Sequence, residues 1–506
     1  MQNRGLGSWL PVRRAKAPDA IALIHHETQA VTYRELADRA GRVAGALAVR
    51  GVRRGDRVAF LGENQPAFVE VLFGCAMLGA VFVPLNTRLA PPELAHMLAD
   101  SGSLLLVHDA RLDDTAAAAA GALPRIVVGA DGPHGYDAVL AAAASPVEPA
   151  DVQLDETAAI LYTSGTTGRP KGAILTHGNL TWNAINVLVD VDVVSTDVAL
   201  VISPLFHAAA LGMGLLPILL KGGTAVLEPA FDPARTLRLI EQHRVTMLSG
   251  VPTTFQFLAE HPDWASTDIT SLRKLTCGGS PVPSRVAAAY ERRGLSFSLG
   301  YGLTETSPGA TYLPAELAGA KSGTSGLPHF FTQVRIIGEG GEPAPPGTVG
   351  EIQVRGPNVS PGYHGDPAAS AAVRTEDGWL RTGDLGRFDD DGCLVVSDRV
   401  KDMIISGGEN IYPAEVEDLI MGIAAVSGAA VIGVPDERWG ETPWAVVTVK
   451  DGGELTTEQL TEHLTGRIAK YKIPKRVVVV LELPRTASGK VRKADLRDQA
   501  AGWGSP

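Results

Sequence analysis

The run TSGTTGRPKG at 163–172 places three glycines, a series of hydroxyls and two cations within ten residues, directly after the apolar stretch AAILY at 158–162. A loop of this composition leaving a buried strand can turn the backbone N–H groups and hydroxyls of Thr163, Ser164, Gly165, Thr166, Thr167 and Gly168 inward around phosphate oxygens, with Lys171 adding charge. An exposed Gly/Thr turn has the same composition, and the pattern GxxxxGK[ST] does not occur, so the loop alone leaves both readings open. Glu305, in GYGLTET (300–306), offers hard carboxylate oxygens of the kind Mg²⁺ takes when phosphate and water supply its other ligands. Asp384, in RTGDLG (381–386), can accept two hydroxyls at once or simply form a turn. Lys490, at the end of PRTASGK (484–490), can project a compact cation from a turn or sit solvated in a basic tail.

These strings do not stand alone. TSGTTGRPKG, PLFHAAAL (204–211), CGGSP (277–281), GYGLTET, RTGDLG, DRVKDMIISGGENIYPAEVE (398–417) and PRTASGK follow one another in the order found in the adenylate-forming superfamily. The chain closely resembles the acyl-CoA synthetases of that superfamily, from about residue 8 to residue 497. The resemblance implies an ATP-dependent acyl-CoA ligase that joins a monocarboxylic acid, fatty or aryl, to AMP with release of pyrophosphate, then transfers the acyl group to coenzyme A. ATP, coenzyme A and the small-molecule acid are the expected substrates and Mg²⁺ the expected cofactor.

Residue by residue, the resemblance gives the phosphate loop its function and assigns Thr304 to the α-phosphate and Glu305 to Mg²⁺. Joining a carboxylate to a phosphate sets two anions against each other, so the site must neutralise charge and align the reactants. Tyr301 supplies a flat face for adenine beside Gly302. Gly278, Gly279, Ser280 and Pro281 form a small-residue wall along the base. Asp384 takes the ribose hydroxyls, Arg399 reaches ribose or phosphate, and Lys490 bridges the carboxylate and the α-phosphate. His207 shapes the route to the reacting carbonyl. Lys401 falls at the hinge between a large and a small domain, and Gly407 and Gly408 line the path of the pantetheine arm.

The acid itself is narrowed by two departures. Amino-acid-activating relatives carry Asp after the Phe of the PLFH-like motif, where this chain has His207, and a buried ammonium without a carboxylate partner is costly. Malonate-type ligases carry Arg before the aromatic of YGxTE, where this chain has Gly300. A neutral acyl tail is therefore expected, with Ala208, Ala209, Ala210 and Gly212 permitting room for it. Competing readings are an enzyme that loads a separate carrier protein, an inactive nucleotide-binding regulator and a luciferase-type oxygenase; the intact set of Glu305, Asp384 and Lys490 argues against the inactive regulator.

These residues need a scaffold. Thr32 and Glu35 have capping-box spacing before a helical face of Leu36, Ala40, Val43 and Leu47, with Gly51 as a stop. Apolar runs at 57–62, 80–85 and 104–107 alternate with helical stretches from Pro66 and from Pro91, the rhythm of α/β structure with parallel strands. The Ala-rich segments at 115–122 and 138–144 read as surface helix or loop. Between about 320 and 400 short strands alternate with turns, predicting a β-rich subdomain, and a helix starting near Pro413 with strands AVIGV and AVVTV predicts a small α+β domain. The expected organisation is a large AMP- and acyl-binding domain over 1–400 and a small, mobile C-terminal domain over 401–506.

Bulk properties agree with this organisation. A chain of 506 residues exceeds what one core usually serves, and 45% hydrophobic against 20% charged residues is ordinary for globular proteins. A net charge of −11 gives no footprint for nucleic acid. Three isolated cysteines outside CxxC spacing predict neither disulfides nor a zinc site and fit a reducing, cytoplasmic setting. The N-terminus lacks the apolar core of a signal peptide, and no apolar run reaches the ~20 residues of a membrane-spanning helix. No oligomeric state is read from the sequence.

Overall fold

The computed structural model describes residues 5–143, 146–163, 170–278, 282, 284–321, 323–338, 340–399, 404–411, 413–450, 453–484, 491 and 493–503. The helix Tyr33–Val49 forms where the sequence predicts it. Thr32 Oγ1 accepts from the Glu35 N–H at 3.2 Å and a Glu35 carboxylate oxygen accepts from the Thr32 N–H at 2.8 Å, closing the capping box. Its apolar face packs on the helix Pro66–Leu78, which starts on Pro66 and ends at Gly79 with φ +71°.

Among the described residues, two large sheets carry the N-terminal chain. One has six strands in the order 125–128, 103–109, 57–61, 81–85, 157–163, 171–176, parallel from the first through the fifth. The other has nine, with 297–302, 274–277, 247–250, 198–201, 224–227 and 21–25 running parallel and antiparallel strands at both edges. Short Val/Leu/Ile-rich runs joined by helices can bury both faces of such sheets. A third sheet, 333–337, 350–355, 380–388 and 394–399, realises the β-rich subdomain. Its core holds Ile336, Ile352, Val354 and Leu394.

The C-terminal sheet orders 409–411, 404–406, 440–449 and 426–436, with 476–479 pairing in parallel to 440–449. The helix Pro413–Met421 packs on it through Val416 and Ile420. The chain divides into two compact units, Met1–Thr87 with Leu98–Leu161 and Gly172–Asp398, and Arg88–Met97 with Tyr162–Lys171 and Arg399–Pro506. Two short N-terminal segments thus sort with the C-terminal residues, which no local pattern announces.

The Ala-rich segment near 138–144 takes the helical alternative, Tyr136–Ala142, with Ala138, Ala141 and Ala142 exposed and Tyr136, Val139 and Leu140 buried in the main core. The Tyr136 hydroxyl donates to buried Glu70 at 2.7 Å, and Glu70 also pairs with Arg39 at 2.6 Å. A polar network and two apolar side chains fix what alanine alone would not.

Candidate active site

Tyr301 lies near the end of the strand Phe297–Gly302, and Glu305 sits in the single 3₁₀ turn Thr304–Thr306 that follows. The turn is held from several sides. The Leu303 N–H donates to Thr306 Oγ1 at 2.8 Å, the Ser360 N–H to the Glu305 carbonyl at 2.8 Å, and buried Asn358 Nδ2 to the carbonyls of Thr306 and Gly309 at 2.9 and 2.7 Å. At Gly302 a Cβ would lie 1.7 Å from the Pro308 carbonyl oxygen, so only glycine permits this chain reversal.

Asp384, on the strand Leu380–Phe388, is 5% exposed and accepts a hydrogen bond from the Tyr301 hydroxyl at 2.7 Å. Tyr301, Glu305 and Asp384, scattered over 84 positions, are therefore neighbours on one wall of the first unit. Loss of solvation pushes the Glu305 carboxyl up; the Tyr363 hydroxyl, donating to Oε1 at 2.8 Å, pulls it down, and the negative charge of Asp384 raises it again. A divalent cation would relieve that electrostatic cost, so the site fits Mg²⁺ on a single protein carboxylate. Among the described residues no cluster of three or more metal-ligating side chains occurs.

Tyr363, Asn358 and Asn183 are supporting residues that the motif reading passed over. Tyr363 pairs through its backbone with Ala173, while the His364 N–H donates to the Gly172 carbonyl and the Ile174 N–H to that of Gly362, at 2.8 and 2.9 Å. The strand Lys171–Thr176, which leaves the Gly-rich loop, is thereby tied to the residue that bonds Glu305. Asn183 is fully buried; its Nδ2 donates to the Gly212 carbonyl at 2.8 Å and its Oδ1 accepts from the Gly309 N–H at 3.0 Å. Three asparagines within one helix, Asn179, Asn183 and Asn186 of His177–Asp190, were the signal the sequence offered.

His207 is partly buried with its ring 4.6 Å from that of Phe206, and its carbonyl accepts from the Leu211 N–H as a π-helical segment, Ala210–Leu215, begins. A Cβ at Gly212 would come within 2.5 Å of the Ser307 carbonyl oxygen, so this segment packs directly on the turn after Glu305. Thr163 closes the strand Thr157–Thr163 and Lys171 opens the next. Ser164, Gly165, Thr166, Thr167 and Gly168 lie outside the described residues, as do Gly279, Ser280, Pro281, Lys401 and Lys490. The backbone of Arg399 ends the strand Leu394–Arg399, its side chain outside the described set. Gly407 and Gly408, with φ +57° and +82°, form the tight turn between antiparallel strands Ile404–Ser406 and Glu409–Ile411, so hairpin geometry by itself demands glycine there.

Residues 11–364 match the family described as AMP-binding enzyme, and residues 415–490 match the AMP-binding enzyme C-terminal domain. The chain is 53% identical over 500 residues to a feruloyl-CoA synthase of Amycolatopsis sp, covering 98% of this chain and 99% of that protein. It is 42% identical to an indoleacetate–CoA ligase of Aromatoleum aromaticum, with 98% of each covered. A solved structure of o-succinylbenzoate CoA synthetase from Bacillus subtilis, bound with a product analogue, superposes with a TM-score of 0.88 at 36% identity over 97% of this chain and 98% of that one. No helix among the described residues is long and apolar enough to cross a membrane. Motif order, fold and full-length similarity converge: the chain belongs to the AMP-binding enzyme family, among its ATP-dependent acyl-CoA ligases.

Proposed function

We propose that this ligase activates an aryl-substituted monocarboxylic acid of the arylpropenoic or arylacetic type. The acid class rests on its relatives, a feruloyl-CoA synthase at 53% identity and an indoleacetate–CoA ligase at 42%, against 37% for long-chain fatty-acid ligases. The observation carrying the nucleotide half is the Tyr301–Asp384 hydrogen bond beside Glu305. It brings a flat ring and two carboxylates close together, which supports reading them as adenine, ribose and ion contacts.

In this reading the carboxylate oxygen of the acid attacks the α-phosphorus, pyrophosphate leaves, and the thiol of coenzyme A then displaces AMP from the acyl carbon. Tyr301 and Gly302 lie along adenine, with Gly279, Ser280 and Pro281 along its other edge. Asp384 accepts from the ribose hydroxyls, and Arg399 supports ribose or phosphate. Thr304 donates to the α-phosphate, while Thr163, Ser164, Gly165, Thr166, Thr167, Gly168 and Lys171 enclose the leaving phosphates. Mg²⁺, held by Glu305, would supply charge neutralisation to the triphosphate. Lys490 stabilises charge accumulating between the reactants. His207 borders the reacting carbonyl, Lys401 is the hinge, and the Gly407–Gly408 turn admits pantetheine.

The test is a panel of ferulate, indoleacetate, benzoate, octanoate, palmitate and a matched ω-dicarboxylate with ATP and coenzyme A, read by thioester mass and kcat/KM. Aryl monocarboxylates should be preferred. The dicarboxylate should lose about 100-fold, since Gly300 provides no cation for a second buried charge. Faster turnover of palmitate than of every aryl acid would overturn the assignment of acid class.

A further inference from the structure

Lys472 is 3% exposed, an uncommon place for an ammonium. Its Nζ donates to Glu415 Oε1 and Oε2 at 2.7 and 2.9 Å and to Glu93 Oε1 at 3.0 Å. Both carboxylates are themselves buried, with side-chain exposures of 7% and 9%. Burial alone would drive the Lys472 ammonium down, and the two glutamates more than offset it. Burial likewise raises Glu415, opposed by Lys472 and reinforced by the charge of Glu93. None of these groups belongs to the nucleotide wall.

Their placement gives them a task. Glu415 lies in the first turn of the helix Pro413–Met421, directly after the strand Glu409–Ile411 that leaves the Gly407–Gly408 turn. At the other end of that strand, Glu409 is 4% exposed and pairs with Arg88. Arg88 and Glu93 come from one segment, Arg88–Met97, which clusters with the C-terminal residues. Glu93 is fixed in turn, its Oε2 accepting from the Ala90 N–H at 2.8 Å. The strand is thus pinned at its start through Arg88 and just beyond its end through Lys472, both times to the same short segment.

We propose that Lys472, clasped between Glu93 and Glu415, is a positioning residue for thioester formation, holding the Gly407–Gly408 turn against the segment Arg88–Met97 in the arrangement that the pantetheine arm of coenzyme A requires. This rests on the reading of that turn as the pantetheine face. Apolar packing of Ile404, Ile411 and Val416 holds the sheet together, but it cannot fix the turn relative to Arg88–Met97; directional, buried ion pairs can. Adenylation does not use the turn, so it should not need the clasp.

The test separates the half-reactions in Glu93→Gln, Lys472→Met and the charge exchange Glu93→Lys/Lys472→Glu. Glu93→Gln leaves the Lys472–Glu415 pair intact, so it remains informative if Lys472→Met fails to fold. Thioester formation from isolated acyl-AMP and coenzyme A should fall at least about tenfold in the single variants, mainly in kcat, with ATP–pyrophosphate exchange within about twofold of the parent and partial recovery in the exchange variant. Equal losses in both half-reactions, or none in either, would overturn the proposal. The parent protein is the control for the underlying reading: if it forms acyl-AMP but no coenzyme A thioester, the function fails before the clasp is judged.

Discussion

Tyr363→Phe removes one hydroxyl and nothing else. The backbone pairing of Tyr363 with Ala173 and its N–H bond to Ser370 Oγ at 2.9 Å survive, so the loop should hold its place. The hydrogen bond to Glu305 Oε1, 2.8 Å long, is lost. That bond favours the ionised carboxyl while burial and Asp384 oppose it, so its removal moves the Glu305 pKa further up. Hydrogen bonds to charged groups contribute about 1.5–3 kcal/mol, and the partial exposure of Glu305 places this one at the lower end. The acid limb of adenylation should therefore move to higher pH. The sign follows from the chemistry: if the ionised carboxylate holds Mg²⁺, activity falls as pH drops through a pKa that now lies higher. ATP–pyrophosphate exchange at saturating Mg²⁺, measured from pH 5 to 9, reports it. Near pH 9 the variant should approach the parent within about threefold. A uniform loss at every pH, with the acid limb unmoved, would refute the role of Tyr363 in tuning Glu305.

Two further predictions address the reacting centre and the core. Lys490→Ala should reduce acyl-AMP formation by about 100-fold or more while leaving thioester formation from supplied acyl-AMP within about threefold, and equal losses would remove Lys490 from the first step. His177 is fully buried and accepts from the Leu6 N–H at Nδ1, and burial holds its pKa down at about 4 against an ordinary 6.5. Its contribution to stability is fully present above pH 6.5 and is lost as pH falls toward 4. His177→Gln should therefore flatten the pH dependence of unfolding free energy over that window by up to about 3 kcal/mol, measured by denaturant melts.

Legibility in the sequence followed the reach of each interaction. The capping box at Thr32 and Glu35 spans three residues and could be read directly, as could the alternation of short strands with the helices from Pro66 and Pro91. Asp384 and Tyr301 were each recognisable from their motifs, yet the hydrogen bond between them crosses 83 positions, and no periodicity encodes it. Tyr363, 58 residues from Glu305, lies outside the motifs, and its hydrogen bond to Glu305 and its backbone pairing with Ala173 are both long-range. The burial of Lys472 was equally hidden. In KYKIPKR it reads as one more solvated cation, whereas its buried partners, Glu415 and Glu93, lie 57 and 379 positions earlier.

The glycines show how structure separates one cause from another where sequence shows a single letter. Gly302 is required by its own chain, because any side chain there would strike the Pro308 carbonyl. Gly407 is required twice, by a φ of +57° and by the Trp439 ring, whose edge a Cβ would meet at 2.8 Å. Both would be glycine in a protein that bound nothing. Gly278 differs: its φ is not left-handed, and among the described residues a Cβ would find no heavy atom within 4 Å. Packing among the described residues leaves its smallness unexplained. Gly278 follows the strand Lys274–Cys277 at its carboxyl end, in a parallel array whose next strand carries Tyr301, the side of an open α/β sheet on which ligands bind. On the proposed nucleotide reading, a flat base lying along bare backbone would account for a glycine at this place.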